Sequence, residues 1–141
     1  MPKFECEVAT PTSQLFEGEI GYAHIPGAEG EYGVMAGHEM IVGTNKPGVL
    51  TLWLDEAGNE RKRYATYTGF TQFVDNKLSV LANRGVDLDT VDVDALREQI
   101  DTLSAQIEEL EGGKEATDEA LLSERKEELA FKQLILENVQ A

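Results

Sequence analysis

Basic residues are scarce in this chain. Twelve Lys and Arg stand against 27 Asp and Glu, a net charge of −15 at pH 7. Nucleic acid or an anionic membrane surface calls for a basic patch, so neither is an expected partner. Cysteine is nearly absent. Cys6 alone allows no internal disulfide and fits a reducing compartment. It alternates with Phe4 and Val8 and reads as a buried apolar residue, not a nucleophile. The two histidines, His24 and His38, stand at no metal-ligand spacing. There is no GxxxxGK[ST] phosphate loop. No apolar run approaches the ~18 residues of a membrane span, and the longest candidate, Val49 to Leu54, is interrupted by Thr51. No charged-then-apolar leader follows Met1-Pro2-Lys3, so no signal or transit peptide is expected. Nothing supplies a nucleophile with its base, a metal cluster or paired catalytic carboxylates. The expectation is a protein that is not an enzyme, with no catalytic residue, no metal site and no required cofactor.

The 141 residues, 41% of them hydrophobic, suit one folded domain with an appendage. Apolar and polar residues alternate over Phe4–Val8 and again from Glu19 to Ile25, where Ile20, Tyr22 and His24 share one face. Strands are also expected at Ile41–Asn45 and Val49–Asp55. Glu60–Thr68 is a further strand, whose Arg61, Lys62 and Arg63 suggest an exposed edge. Phe70–Val74 and Leu78–Ala82 flank Asp75-Asn76-Lys77, a tight hairpin, and Glu56-Ala57-Gly58-Asn59 is a second hairpin loop. Many short strands at this spacing imply a sandwich or barrel.

From Val91 the period changes. Val93, Leu96, Ile100, Leu103, Ile107 and Leu110 recur at 3, 4, 3, 4 and 3 residues, a narrow apolar seam on one helix face. Asp92 is the expected N-cap, and Gly112-Gly113 the stop. A second helix is expected from about Asp118 to Val139. Leu122, Leu129 and Leu136 lie at sevens, and Leu121, Phe131, Leu134, Ile135 and Val139 widen that face. The short connection through Lys114 makes the pair an antiparallel hairpin. Fourteen Asp and Glu against five Lys and Arg give this segment a net charge of −9, mostly a solvated face. The fold class expected is therefore an N-terminal β-sandwich, residues 1–86, followed by a C-terminal α-helical hairpin, residues 87–141.

Between the strands lies Gly30-Glu31-Tyr32-Gly33-Val34-Met35-Ala36-Gly37-His38. Three glycines in eight positions disfavour a helix or a regular strand and suit an ordered loop. It is either a strand connection or a docking edge. With Ile25-Pro26-Gly27-Ala28-Glu29 before it, the run resembles the signature PG-x-EGEFGVLPGH of the epsilon subunit family of F-type ATP synthases. Pro26, Gly27, Glu29, Gly30, Glu31, Gly33, Val34, Gly37 and His38 match. Tyr32 replaces Phe, Met35 replaces Leu and Ala36 replaces Pro. Lys46-Pro47-Gly48-Val49, Gly69-Phe70 and Asn76-Lys77-Leu78-Ser79-Val80-Leu81-Ala82 are similar to further segments of that family. The likeness covers residues 4 to about 100 in good order and the rest loosely.

The resemblance implies a rotor part of the synthase that couples ion-driven rotation of the c-ring to the central stalk. The sandwich would bind the gamma subunit and touch the c-ring through Glu29, Gly30, Glu31, Tyr32 and His38. The hairpin, with its seam of Leu96, Ile100, Leu103, Ile107 and Leu110, would reach the catalytic alpha and beta subunits and restrain ATP hydrolysis. The location implied is the cytoplasmic face of a bacterial cell membrane, peripheral and held through the complex. Val93-Asp94-Ala95-Leu96-Arg97-Glu98 is similar to the family's [IL]DxxRA motif, which implies ATP as a weak regulatory ligand at Asp94 and Arg97. An i,i+3 pair at the helix start is the plainer account of those two residues. Two alternatives stand beside the rotor reading: an ATP-sensing module, and a sandwich with a coiled-coil oligomerisation tail.

Overall fold

Alternating side chains build the first part of the chain. In a computed structural model, which describes residues 2–55, 58–112 and 119–139, Phe4, Cys6 and Val8 point inward from β1 (Phe4–Ala9). There follow β2 (Gln14–Ile20), β3 (Tyr22–Ile25), β4 (Tyr32–Val34), β5 (Ile41–Asn45), β6 (Gly48–Trp53), β7 (Arg61–Thr66), β8 (Gly69–Val74), β9 (Lys77–Ala82) and β10 (Gly85–Asp87). A 3-10 helix, Leu88–Thr90, ends this unit. The strands form two five-stranded sheets, ordered β2-β1-β9-β8-β5 and β10-β7-β6-β3-β4. Every pairing among the described strands is antiparallel except β1 with β9.

Between the sheets lie Phe4, Val8, Ile20, Phe73, Leu78 and Val80 from one side and Ile25, Val34, Leu50, Leu52 and Tyr64 from the other, each 2% exposed or less. Phe4 meets Phe73 edge to face, with ring centroids 5.5 Å apart. Buried Thr71 donates its hydroxyl to Asn45 Oδ1 at 2.9 Å, and no buried side-chain polar atom among the described residues lacks a partner.

Three expectations about the strands change. Ile20, Tyr22 and His24 do not share a face. Ile20 is buried, Tyr22 and His24 are half-buried, and Ala23 and Ile25 point inward. The chain passes at Gly21 from one sheet to the other, and the inward phase resets there. Second, β7 is an edge over only half its length: Arg61–Arg63 pair with β6 alone, whereas β10 covers Tyr64–Thr66, and Lys62 reaches Asp87 at 3.4 Å. Third, the glycine-rich run does hold a strand, β4, paired with β3. The expected Asp75-Asn76 hairpin is present, with φ of 52° and 58° at the two residues. Glu56 and Ala57 of the other hairpin loop lie outside the described residues.

The chain divides into two compact units, Met1–Thr90 and Val91–Ala141. The second consists of α1 (Val93–Gly112) and α2 (Glu119–Asn138). Asp92 caps α1 by accepting the Ala95 N–H at 3.1 Å. Lys126 pairs with Glu111 at 2.7 Å and Lys132 donates to Gln99 at 2.9 Å, which sets the helices antiparallel. The sandwich followed by a helical hairpin is thus the architecture the sequence indicated. Gly113, Lys114 and Asp118 lie outside the described residues. No described helix is long and apolar enough to cross a membrane.

Candidate functional site

The glycine-rich segment is held at two places, the free edge of β5 and the turn between β8 and β9. Its first half turns at Gly27, whose N–H bonds to Ile25 O at 3.0 Å, and closes with Gly30 N–H on Gly27 O at 3.1 Å. Gly30 has φ of 142°, which a side chain would rarely tolerate. Ala28 N–H bonds to Thr44 O at 2.9 Å and Lys46 N–H to Pro26 O at 3.0 Å, so this half laces the free edge of β5. Gly33 of β4 lies opposite His24, and the Tyr22 ring lies across it where a Cβ would collide. Tyr22 in turn packs on Trp53, with centroids 5.3 Å apart. The second half turns through Met35–His38, with His38 N–H on Met35 O at 3.1 Å. Gly37 N–H donates to the Asn76 side-chain oxygen at 2.8 Å. The His38 ring donates from Nδ1 to Glu39 O at 2.9 Å and stands edge-on to Phe73 at 6.3 Å.

Of the residues singled out from sequence, Glu29, Gly30 and Glu31 are exposed and Tyr32 is half-buried. These four line one groove of about 620 Å³ against Val42, Gly43 and Thr44. Burial raises the Tyr32 phenol pKa, partly offset by a hydrogen bond with the Thr71 side chain. His38 is not in this groove. It sits by Phe73, the partner of Ile41, at the end of β5 away from the Ala28–Thr44 bond. No described group of three His, Cys, Asp or Glu is placed to hold a metal ion.

A second surface was missed by the sequence reading. Val42, Phe70 and Leu81 are 60%, 38% and 54% exposed, on the outer face of β5, β8 and β9. Phe70 and Leu81 are directly opposed across the strands. Thr71 and Phe73 of β8, and Leu78 and Val80 of β9, take the inward phase, so Phe70 and Leu81 are out of phase with the core. That mismatch was visible in the sequence. An apolar cluster on the solvent side of a sheet marks an interaction surface. Met40, 73% exposed, adjoins β5.

In the hairpin, Leu96, Leu103 and Ile107 are buried, while Ile100 and Leu110 are half-buried. From α2, Phe131 and Ile135 are buried. Leu122, Leu129 and Leu136 remain half-buried, because at 100° per residue their row lies some 140–180° around the helix from Phe131. A cleft of about 600 Å³ between the helices is lined by Gln99, Leu103, Arg125, Glu128 and Lys132 among others. Arg125 lies 3.5 Å from Glu128. Asp94 and Arg97 are exposed and do not line the cleft, since Arg97 is on the far side of α1.

Residues 3–87 match the model of the family described as ATP synthase, Delta/Epsilon chain, beta-sandwich domain. The chain is 34% identical over 107 residues to the ATP synthase epsilon chain 2 of Nitrobacter hamburgensis, covering 76% of each chain. It is 30% identical over 112 residues to the ATP synthase epsilon chain of a Bradyrhizobium species, covering 79% of this chain and 81% of that one. Similar folds occur in solved structures. In the Euglena gracilis mitochondrial ATP synthase, solved as OSCP/F1/c-ring, one chain matches at TM-score 0.69 and 21% identity, over 94% of this chain and 79% of that one. In the Tetrahymena thermophila mitochondrial ATP synthase central stalk and c-ring, another matches at 0.57 and 17%, over 96% and 97%. At those identities the likeness is one of fold. The sandwich model and the curated relatives establish the family: this chain belongs to the epsilon chains of ATP synthase.

Proposed function

We propose that the protein is a non-catalytic rotor subunit of an ATP synthase, coupling rotation of the c-ring to the central stalk. The observation that carries this reading beyond family membership is the solvent-side cluster of Val42, Phe70 and Leu81. It gives the β2-β1-β9-β8-β5 sheet a face that a stalk partner can cover, and we assign it to the gamma subunit. Glu29, Gly30, Glu31 and Tyr32 form the principal c-ring contact, with His38 a separate contact on the same segment. The acidic hairpin reaches the alpha and beta subunits and restrains ATP hydrolysis. The complex holds the chain at the cytoplasmic face of the membrane.

The test uses a cognate synthase stripped of this subunit. Full-length protein, or a form ending at Thr90, is added back, and binding and ATP hydrolysis are measured. Both forms are expected to bind, and only the full-length protein to slow hydrolysis. Failure of both to bind overturns the rotor reading. Equal hydrolysis with both overturns the regulatory role of the hairpin alone.

Weak ATP binding has one observation in its favour. The cleft between α1 and α2 brings Arg125 and Lys132 to one rim. A triphosphate would meet these cations rather than Arg97, opposed by Glu98 and Glu128 in the same cleft. Calorimetry with millimolar ATP tests this, and absence of heat removes the reading.

A further inference from the structure

The outer face of the β2-β1-β9-β8-β5 sheet is divided by chemistry. Its β5 side carries Val42, Phe70 and Leu81. Its β2 side carries Glu5, Glu7, Glu17 and Glu19, outward because Phe4, Cys6 and Val8 alternate inward between them. The register sets Glu5 directly opposite Glu19 and Glu7 directly opposite Glu17. Like charges so placed repel across the ladder. One cation serves the four: Lys77 is the ladder neighbour of Glu5 and stands 4.0 Å from Glu7, and Gln14 donates to Glu7 at 3.3 Å. The four carboxylates do not form a metal-binding group.

The two halves adjoin. One row across the sheet runs Glu17, Glu7, Ser79, Gln72, Val42, and the next places Ala9, Leu81, Phe70 and Thr44 side by side. At about 4.8 Å per strand and 3.3 Å per residue, Glu7 lies roughly 8 Å from Leu81 and Glu17 roughly 12 Å, with Glu5 and Glu19 one row further along the strands.

We infer that this face recognises a segment bearing a row of Lys or Arg beside a row of apolar side chains, with the opposed glutamates as the electrostatic half of the dock. The inference rests on the reading that a central-stalk subunit covers this sheet, and it specifies that subunit's chemistry. Cations laid between the paired glutamates relieve a repulsion that the free chain must bear. The same carboxylates therefore oppose folding of the free protein and favour the complex. A purely structural or solubilising role does not link those two effects.

The test compares full-length wild type, Glu17→Gln/Glu19→Gln and Leu81→Ser in binding to the stripped synthase across a salt series, together with their melting temperatures. The double variant is expected to melt above wild type. It should bind about tenfold more weakly at low salt, with the gap closing as added salt shortens the screening length to a few ångströms. Leu81→Ser should weaken binding at every salt concentration. Unchanged affinity and salt slope in the double variant, with Leu81→Ser impaired, overturn the electrostatic half and leave the docking face standing. Full binding by all three moves the interface elsewhere. Failure of the wild type to bind overturns the rotor reading itself.

Discussion

The Asn76 side-chain oxygen accepts the N–H of Gly37 at 2.8 Å, joining residues 39 apart in the chain. Asn76 belongs to the β8–β9 turn and adopts φ of 58°; Gly37 has φ of 83°. A turn residue chosen for its left-handed backbone thus also fixes the glycine-rich segment to the sheet. Asn76→Gly keeps the backbone freedom and removes the acceptor. It should cost about 1 kcal/mol, read as a fall of several degrees in the melting temperature. Asn76→Asp, which keeps an acceptor, should recover most of the loss.

Gly33 and the Tyr22 ring occupy adjoining space. Gly33→Ala should destabilise the sandwich by about 2 kcal/mol through overpacking. Double-mutant analysis by thermal melting checks the cause. In a Tyr22→Ala background the added methyl should cost little, so the two effects fall well short of additive.

Leu103 is buried in the hairpin. Leu103→Asp places a carboxylate there and should destabilise that unit by roughly 3 kcal/mol or more. Loss of helical circular dichroism at lower temperature, with the near-ultraviolet signal of Trp53 unchanged, is the expected signature. An unchanged melting curve would place the seam elsewhere.

Alkaline pH should weaken the sandwich. Burial, with a smaller push from Glu7, raises the Cys6 thiol from 9.0 to about 12. Burial, then Asp87, raises the Tyr64 phenol from 10.0 to about 12. Both groups stay neutral in the fold while the unfolded chain ionises first. Their contribution is complete below pH 9 and is lost as pH rises toward 12, each adding a slope of up to about 1.4 kcal/mol per pH unit. Denaturant midpoints measured from pH 8 to pH 11 check this, and Cys6→Ala should flatten the early part of the fall. The same burial leaves Cys6 slow toward thiol reagents at neutral pH.

Much of this architecture was legible locally. Alternation marked β1, β-forming residues marked β6, the Asp75-Asn76 turn marked the β8–β9 hairpin, and Asp92 with the seam spacing marked α1. Elements fixed by pairing rather than by pattern were not. β4 and β10 are three residues each and exist because β3 and β7 present an edge to them. The phase reset at Gly21 depends on which sheet the chain enters. In α2, a row at sevens looked like the seam, yet Phe131 and Ile135 face inward, since a wide apolar arc does not declare its centre. The glycine-rich segment was recognisable as an ordered loop from its glycines. Its two anchors were not, because Thr44 of β5 and Asn76 of the β8–β9 turn hold the halves through tertiary contacts.

The parallel pairing of β1 with β9 governs how the sandwich can be made. β1 is interior to its sheet, flanked by β2 and by β9, and Ala9 meets Leu81. Once synthesised, β1 can join β2 at once. It then waits for nearly the whole of the sandwich sequence before its second neighbour arrives. Closing that long loop makes the sandwich the slow-folding part, whereas the hairpin needs only local contacts. During synthesis the open side of β1 is an unpaired strand edge, and Glu5 and Glu7 at its surface guard the nascent chain against adding a strand from elsewhere.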